Sequence, residues 1–299
     1  MTSTDIRMYL RGLDLPGGDG NELPTSSRTF PDGAHFRTEE LPQTVEQYER
    51  TFAFAEKHGY IVNKITDITG VMYDSDAEIL RKCDLAREHG CELIVAPGGS
   101  ESAFDISQQA EMGKLTAGKL RGMDQVLRAT RSMLRAAELG CRGFILYDEG
   151  LLAVAVKMRR DKQLPPETKF KISSNLCIAN PAAVQFWADF LAPHDGINPI
   201  RDLTLPMIAA IRAVTPISLD LHILWRGKIA RIMEAPDIVR IAAPVYLKNA
   251  FGTQLSPEER CKYGLQVVQT IQRYYPAAQQ SAPGARDLAI PAKPGNGWS

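Results

Sequence analysis

The length, composition and charge of this chain exclude several classes of protein. It has 299 residues, of which 44% are apolar, which is enough for one large core. Lys and Arg number 35, as do Asp and Glu, and this balance argues against binding to nucleic acid or to an anionic membrane. The five cysteines are widely spaced without a Cys-x-x-Cys pair, which argues against a disulfide framework or a cysteine zinc site. No stretch has the apolar run of a signal peptide or a membrane span, so we expect a cytoplasmic protein that acts on a small molecule.

Alternating strands and helices are predicted along most of the chain. Residues 1–33 are rich in Gly, Pro, Asp and Ser, and we predict an irregular arm there. Helices further on have clear start signals, such as the capping box formed by Ser75 with Glu78 and the pair Asn180 and Pro181. Hydrophobic patterning and turn residues predict strands at 35–39, 60–66, 91–96, 142–147, 170–173, 195–198, 217–219 and 237–242.

Eight strand-and-helix units in about 240 residues are what a closed (β/α)8 barrel requires. Parallel neighbours need crossover helices, because a tight turn cannot connect them. An open doubly wound sheet is the alternative, but no glycine-rich fingerprint follows the first strand. We therefore predict an α/β fold with an N-terminal arm at 1–33, a single-domain TIM barrel at 34–276 and a flexible, disordered C-terminal tail at 277–299.

The connection after the third predicted strand is unusually long. Roughly two dozen residues separate this strand from the next well-marked helix, and long connections in compact domains are usually functional or disordered. This one leaves the barrel at the end where such enzymes hold their active sites. We predict that residues 98–121 form a lid or a substrate loop in which Arg121, clustered with Lys114 and Lys119, contacts an anionic substrate. A solvated surface is the alternative for this cluster.

Polar side chains at the ends of strands are the main candidates for chemistry. Asp148 and Glu149 follow a strand at the start of a helix, where a carboxylate can bind a divalent cation or act as a general base. Helix capping is the alternative, and it explains one of these carboxylates but not both. Asp220 and His222 are two residues apart on a strand and share one face. Glu149, His222 and Asp220 together predict a metal site with open positions.

Further candidates lie on the first two predicted strands and in the segment after the last one. Arg37 and Glu39 share a face of the first strand, and Arg37 is suited to clamp a carboxylate. Lys64 and Lys248 end opposite sides of the barrel, where burial would lower the pKa of a lysine and favour a Schiff base. A lysine in an ordinary salt bridge is the alternative for each. The other predicted substrate contacts are Asn175, Asn198 and Tyr246, with turn formation as the alternative for the two asparagines.

Three segments resemble the peptidase U32 family. They are residues 172–187, residues 196–205, which include Arg201-Asp-Leu-Thr-Leu, and residues 219–222. The resemblance implies a TIM-like barrel, in agreement with the strand count, and peptide hydrolysis as an activity. Family members with an iron–sulfur cluster carry a cysteine signature after the last of these segments. Here that place is Ile223-Leu-Trp-Arg-Gly-Lys228, so we interpret the chain as a divergent member without the cluster.

The sequence therefore predicts a barrel enzyme that acts on a small carboxylate-bearing metabolite. The preferred chemistry is that of a lyase, aldolase or isomerase, assisted by a divalent metal ion or by acid and base side chains. Glu149 and His222 would be the base, the acid or the metal ligands, while Arg37 would clamp the anion and Asn175 would orient a carbonyl. A U32-type peptidase and a non-catalytic scaffold for a protein partner are the alternatives. Pairing of two copies through the outer helices is left open.

Overall fold

Eight parallel strands form the centre of the computed structural model, which describes residues 3–13, 22–98, 119–225, 231–250 and 255–295. The strands are β1 (Phe36–Glu40), β2 (Lys64–Asp67), β3 (Glu92–Val95), β4 (Gly143–Leu146), β5 (Lys169–Ile172), β6 (Gly196–Ile197), β7 (Ser218–Trp225) and β8 (Val245–Ala250). Each strand pairs with the next one along the chain, and β8 pairs with β1 to close the ring. The fold is therefore a (β/α)8 barrel, which confirms the prediction.

Nine helices lie in the described part of the chain, and the last eight follow the strands in turn. They are α1 (Ser3–Arg11), α2 (Val45–His58), α3 (Asp76–Glu88), α4 (Gly122–Glu138), α5 (Glu149–Arg160), α6 (Pro181–Ala188), α7 (Leu205–Val214), α8 (Ala235–Ala242) and α9 (Pro257–Tyr274). Ser75 forms the predicted capping box with Glu78, and the Asn180 side chain caps α6. None of these helices has the length and apolar character needed to span a lipid bilayer.

The predicted eighth strand is misplaced along the chain. The sequence predicts a strand over 237–242, whereas these residues belong to α8, and the last strand begins only at Val245. Pro236 stands in the first turn of α8, where a missing N–H breaks no helical hydrogen bond. A short apolar run is compatible with a buried helix as well as with a strand, and these residues form the helix. The residues of α8 that are buried include Ile238, Val239, Ile241 and Ala242.

The C-terminal segment covers the amino ends of the strands. The sequence predicts a flexible tail at 277–299, but residues 277–295 hydrogen-bond to the beginnings of several strands. Ser281 N donates to Phe36 O at 3.2 Å, and Ala292 N donates to Gly140 O at 2.8 Å. Ala289 is buried beneath the barrel. The prediction is therefore corrected for these residues, because polar composition did not reveal that their backbone is paired.

The N-terminal arm reaches the same end of the barrel. Ser26 N donates to Arg240 O at 2.8 Å, and the Phe30 ring packs edge-on against Tyr246 with 5.2 Å between centroids. Part of the arm is also regular, because residues 3–11 form α1. Residues 14–21 lie outside the described part. The N-terminal arm and the C-terminal segment thus both cover part of the amino end of the barrel, whereas the chain enters each of α2 to α9 from the carboxyl end of a strand.

The strands divide apolar from charged side chains. Phe170 and Ile172 of β5 belong to the apolar core, while Lys169 and Lys171 contact acidic residues on other strands across the barrel interior. Barrel interiors are usually filled by branched apolar residues, so a charged interior is unusual. The interior ionisable residues, each at most 4% exposed, are Glu39, Lys64, Glu92, Lys169, Lys171, Asp220 and Lys248.

Candidate active site at the carboxyl end of the barrel

Lys248 is the residue around which the candidate site is built. It lies in β8 in register with Glu39 of β1 and His222 of β7, toward the carboxyl ends of the strands. Its Nζ donates to Asn198 Oδ1 at 3.2 Å and lies 3.4 Å from Glu39 Oε1. Only 4% of the residue is exposed. The amine is therefore held in one position, shielded from bulk water, at the end where barrel enzymes carry out chemistry.

Lys171 shares a carboxylate with Lys248. Its Nζ lies 2.6 Å from Glu39 Oε1 and 2.5 Å from Asp220 Oδ2. Thr66 Oγ1 accepts a further hydrogen bond from this ammonium at 3.3 Å. Two ammonium groups thus face one carboxylate oxygen, and Lys171 is the better paired of the two.

The ion pairs continue toward the amino end of the barrel. Lys64 Nζ lies 3.0 Å from Asp220 Oδ2 and 3.1 Å from Glu92 Oε1, and Lys169 Nζ lies 2.7 Å from Glu92 Oε2. The interior ionisable residues therefore comprise three carboxylates and four lysines, and their charges balance when one lysine is neutral. Burying an unbalanced charge is costly. Lys248 has the longest carboxylate contact of the four lysines, 3.4 Å, so it is the one expected to lose its proton.

The environment of Lys248 favours the free amine. Burial, reinforced by the nearby Lys171 ammonium, lowers the pKa of Lys248 to about 7 despite the attraction of Glu39. Lys64 behaves in the opposite way, because Asp220 and its other carboxylate partner outweigh burial and raise the pKa of Lys64. The Lys248 amine is then unprotonated in about half of the molecules at neutral pH. The unprotonated amine is the nucleophilic form.

Asn198, His222 and Arg201 form the surroundings of this amine. Asn198 Nδ2 donates to Asp220 O at 2.6 Å and lies 3.3 Å from His222 Nδ1. Arg201 Nε lies 3.4 Å from His222 Nε2. Burial, with the charges of Lys248 and Arg201, holds the pKa of His222 well below its ordinary value. The imidazole is therefore neutral, and the exposed Arg201 places a cation beside it.

Asp148 and Glu149 are engaged at the start of α5. Asp148 Oδ1 accepts from Leu151 N at 2.9 Å and Oδ2 from Leu120 N at 3.1 Å, so the capping alternative accounts for this residue. The Glu149 side chain is 53% exposed, and its Oε2 lies 2.5 Å from Lys119 Nζ. Partial burial disfavours its charge, but Lys119 still lowers the pKa of Glu149. In the ring, β5 and β6 separate this corner from β7.

The predicted metal ligands are not brought together. Among the residues that the structure describes, no group of three or more His, Cys, Asp or Glu side chains is arranged to hold a metal ion. Asp220 Oδ2 contacts Lys64 and Lys171, while Glu149 pairs with Lys119. His222 lies with Asn198 instead. A metal-dependent reaction stays a prediction.

Arg37 and Tyr246 lie at the opposite end from Lys248. The Arg37 guanidinium is fully buried and makes two hydrogen bonds to Asp287, at 2.8 and 2.7 Å, and one to Ser281 Oγ at 2.7 Å. It also donates to Tyr246 Oη at 2.9 Å. Arg37 therefore binds the C-terminal segment, and the structure does not bring this predicted anion clamp to the site.

Two other predicted contacts lie in loops at the carboxyl end. Asn175 belongs to a short 3₁₀ turn, Ser174–Leu176, that follows β5, and its backbone N donates to Ser173 Oγ at 3.2 Å. Arg121 precedes α4 and is half-buried. Residues 99–118, which make up most of the predicted lid, lie outside the described residues.

Sequence reasoning misses Lys169, Lys171 and Glu92. Lysine alternates with apolar residues in Lys169-Phe-Lys-Ile, and this period of two is typical of a strand with one charged face. A charged inward face requires opposite charges on other strands, which Glu92 and Glu39 supply. This signal was present in the sequence, but the choice of partners follows only from closure of the ring.

No family model and no curated protein matches the sequence. Solved structures resemble the fold at low identity. A U32 peptidase, Mk0906, is 13% identical, with 66% of this chain and 72% of that chain covered and a TM-score of 0.42. DHDPS from Cyanidioschyzon merolae is 10% identical, with 85% of this chain and 80% of that chain covered and a TM-score of 0.49. DAHP synthase from Thermotoga maritima is 11% identical, with 83% of this chain and 72% of that chain covered and a TM-score of 0.48. The resemblance to U32 peptidases thus has a distant counterpart in fold, which carries no information on activity.

Proposed function

We propose that this protein is an enzyme that forms an imine between Lys248 and the carbonyl group of a small carboxylate-bearing metabolite, and uses the imine in lyase or aldolase chemistry. The observation that supports the proposal is the position of Lys248, a buried amine at the carboxyl end of the barrel beside Lys171 and Glu39. Burial and a neighbouring cation are the conditions that activate a lysine as a nucleophile.

The residues around Lys248 suit the proton transfers of this step. The neutral amine nitrogen attacks the carbonyl carbon, and a proton moves from nitrogen to oxygen to give a hydroxyl. A second proton, taken up from solvent, leaves with this hydroxyl as water, so the remaining imine is protonated on nitrogen. Lysine charges keep the pKa of Glu39 below its ordinary value despite burial, so an ionised carboxylate 3.4 Å from Nζ stabilises the positive imine. Within the described residues, Glu39 Oε2 is buried and accepts no hydrogen bond, so it is suited to receive one from the intermediate hydroxyl.

The imine then supplies the driving force for a reaction at carbon. A protonated imine accepts the electron pair of a neighbouring C–C or C–H bond and becomes an enamine, which is later protonated or attacks a second carbonyl. Neutral His222 is positioned near the amine through Asn198 and is suited to move a proton in this step. Arg201 takes the role of carboxylate contact in this proposal, because it is exposed at the same end and bonded to His222.

Reduction of the imine tests the proposal directly. The protein would be incubated with a small 2-oxo acid such as pyruvate and then with borohydride, and the modified peptide would be identified by mass spectrometry. We expect the adduct on Lys248 and its loss in Lys248→Met. Lys262→Met makes the same change at an exposed lysine of α9 and should retain it. An adduct that persists in Lys248→Met, or no adduct with any of a panel of oxo acids and aldehydes at about pH 8, refutes the proposal.

The two alternatives drawn from the sequence give a different result. A peptidase or a non-catalytic scaffold needs no reactive amine at Lys248, so trapping would fail while peptide cleavage or partner binding survived Lys248→Met. No contact in the described part of the site favours either alternative.

A further inference from the structure

A cavity lies at the amino end of the barrel, away from Lys248. Its volume is about 290 Å³, a size that suits a small metabolite. Its walls are the beginnings of β4 and β5, the loop before β6 and the C-terminal segment. Chemistry in such barrels takes place at the carboxyl ends of the strands, so this cavity is distinct from the candidate active site. The lining residues are Arg142, Glu167, Lys169, His194 and residues 286–290.

The acidic residues of the cavity are already neutralised. Glu167 Oε1 lies 2.9 Å from Arg142 Nε, and Asp287 makes its two hydrogen bonds to Arg37. Arg286 is exposed and has no hydrogen bond or ion pair to any residue of the described chain. The cavity therefore has a positive charge available for a ligand, because this guanidinium can donate two parallel hydrogen bonds to a carboxylate.

Lys169 also lines the cavity and brings a second cation to it, with Glu92 sharing its charge. The residue is only 3% exposed, and its ammonium lies 2.7 Å from Glu92 Oε2. Leu288, Ala289 and Ile290 add apolar side chains to the lining. Cations combined with apolar surface favour a small organic acid over inorganic phosphate.

We propose that this cavity is a second binding site, for a small carboxylate-bearing metabolite held by Arg286 and Lys169, and that its occupancy slows the reaction at Lys248. The second half of the proposal rests on the proposed function. A line of ion pairs joins the two ends of the barrel, through Lys169, Glu92, Lys64, Asp220 and Lys171.

The expected effect follows from the charge balance of the interior. Three carboxylates and four lysines balance when one lysine is neutral, and the longest carboxylate contact makes that lysine Lys248. A bound anion beside Lys169 adds negative charge to this interior, and protonation of Lys248 would compensate for it. The ligand should therefore favour the ammonium form and slow imine formation at neutral pH.

Calorimetry with malonate tests the binding site on the full chain. We expect saturable binding of malonate, little or none of neutral malonamide, and affinity about tenfold or more weaker in Arg286→Ala, as for loss of one charge-assisted hydrogen bond. Arg273→Ala removes another exposed arginine, on α9, and should bind like the wild type. Unchanged affinity in Arg286→Ala, or equal binding of malonamide, overturns the proposal.

Borohydride trapping tests the effect on Lys248. Saturating malonate should slow trapping at neutral pH in the wild type, with recovery at higher pH, and should have no effect in Arg286→Ala. Equal inhibition in Arg286→Ala would place malonate at the active site instead and overturn the regulatory role. If no trapping occurs at all, the proposed function fails, while the calorimetric result still decides whether the second site exists.

Discussion

Removal of the Lys171 ammonium tests whether a neighbouring charge keeps Lys248 unprotonated. Both ammonium nitrogens contact Glu39 Oε1, at 2.6 and 3.4 Å, so they lie at most about 6 Å apart. Two like charges at that distance repel by about 3 kcal/mol at an effective dielectric constant of about 20. A pKa difference of 1 corresponds to about 1.4 kcal/mol, so Lys171→Met should raise the pKa of Lys248 from about 7 to about 9.

The charge balance of the interior also predicts that the pKa of Lys248 rises in Lys171→Met. Without Lys171, three carboxylates face Lys64 and Lys169, and a protonated Lys248 restores neutrality. The unprotonated fraction at pH 7 would fall from about half to about 1%, so imine formation would slow about 50-fold. The rate should return toward the wild-type value above about pH 9, because the amine itself is intact.

The assay is the rate of borohydride-trapped adduct on Lys248 between about pH 6 and about pH 10. Lys82→Met is the matched control, since it removes a buried lysine of α3 that lies outside the barrel interior and pairs with Asp67 and Asp74. Its pH midpoint should equal that of the wild type. Circular dichroism would show that both variants are folded. A midpoint that does not move in Lys171→Met, or a slow rate that alkaline pH does not restore, contradicts the reasoning.

Three further predictions concern stability. Burial raises the pKa of Glu40 to about 7 from an ordinary 4.5, so its contribution to stability is full below about pH 4.5 and falls by about 3 kcal/mol as pH rises through 7. Urea unfolding of Glu40→Gln should therefore lose less stability between about pH 5 and about pH 8 than the wild type, and parallel curves would contradict this. Asp287→Ala leaves the buried Arg37 with only a 3.7 Å carboxylate contact, to Asp32, so we expect a loss of about 2 kcal/mol or more and faster proteolysis of the C-terminal segment. Asp148→Ala should lose about 1 kcal/mol with its helix cap, while Glu149→Ala, at a surface ion pair, should change stability by less than about 1 kcal/mol. Trapping should change less than about twofold in either variant, and its loss in Glu149→Ala would instead support the metal or base role.

Local signals in the sequence were sufficient for most of the elements. The capping box of Ser75 and the cap of Asn180 lie within three residues of the groups they bind, so the helix starts could be predicted without knowledge of the fold. The same holds for Asp148, whose capping role was the stated alternative. The prediction of a strand at 237–242 was wrong because a short apolar run is compatible with both a strand and a buried helix. Only packing against the barrel selects the helix here.

The candidate site depended on contacts between distant parts of the chain. Lys248 was predicted as a Schiff-base lysine, but its neighbours Glu39, Lys171 and Asn198 come from three other strands or strand ends. Arg37 shares a face with Glu39, yet register places it toward the amino end of the barrel, where the C-terminal segment binds it. Burial and partner charges set the pKa of a lysine, and neither is a property of its local sequence.

Cap residues and hydrophobic period act over a few neighbouring residues, so the alternation of strands with helices could be predicted from local sequence. Closure of the ring decided which charges meet inside the barrel and at which end each side chain lies. Electrostatic energy depends on distance and burial, so only the tertiary structure could single out Lys248 from the other lysines of the interior.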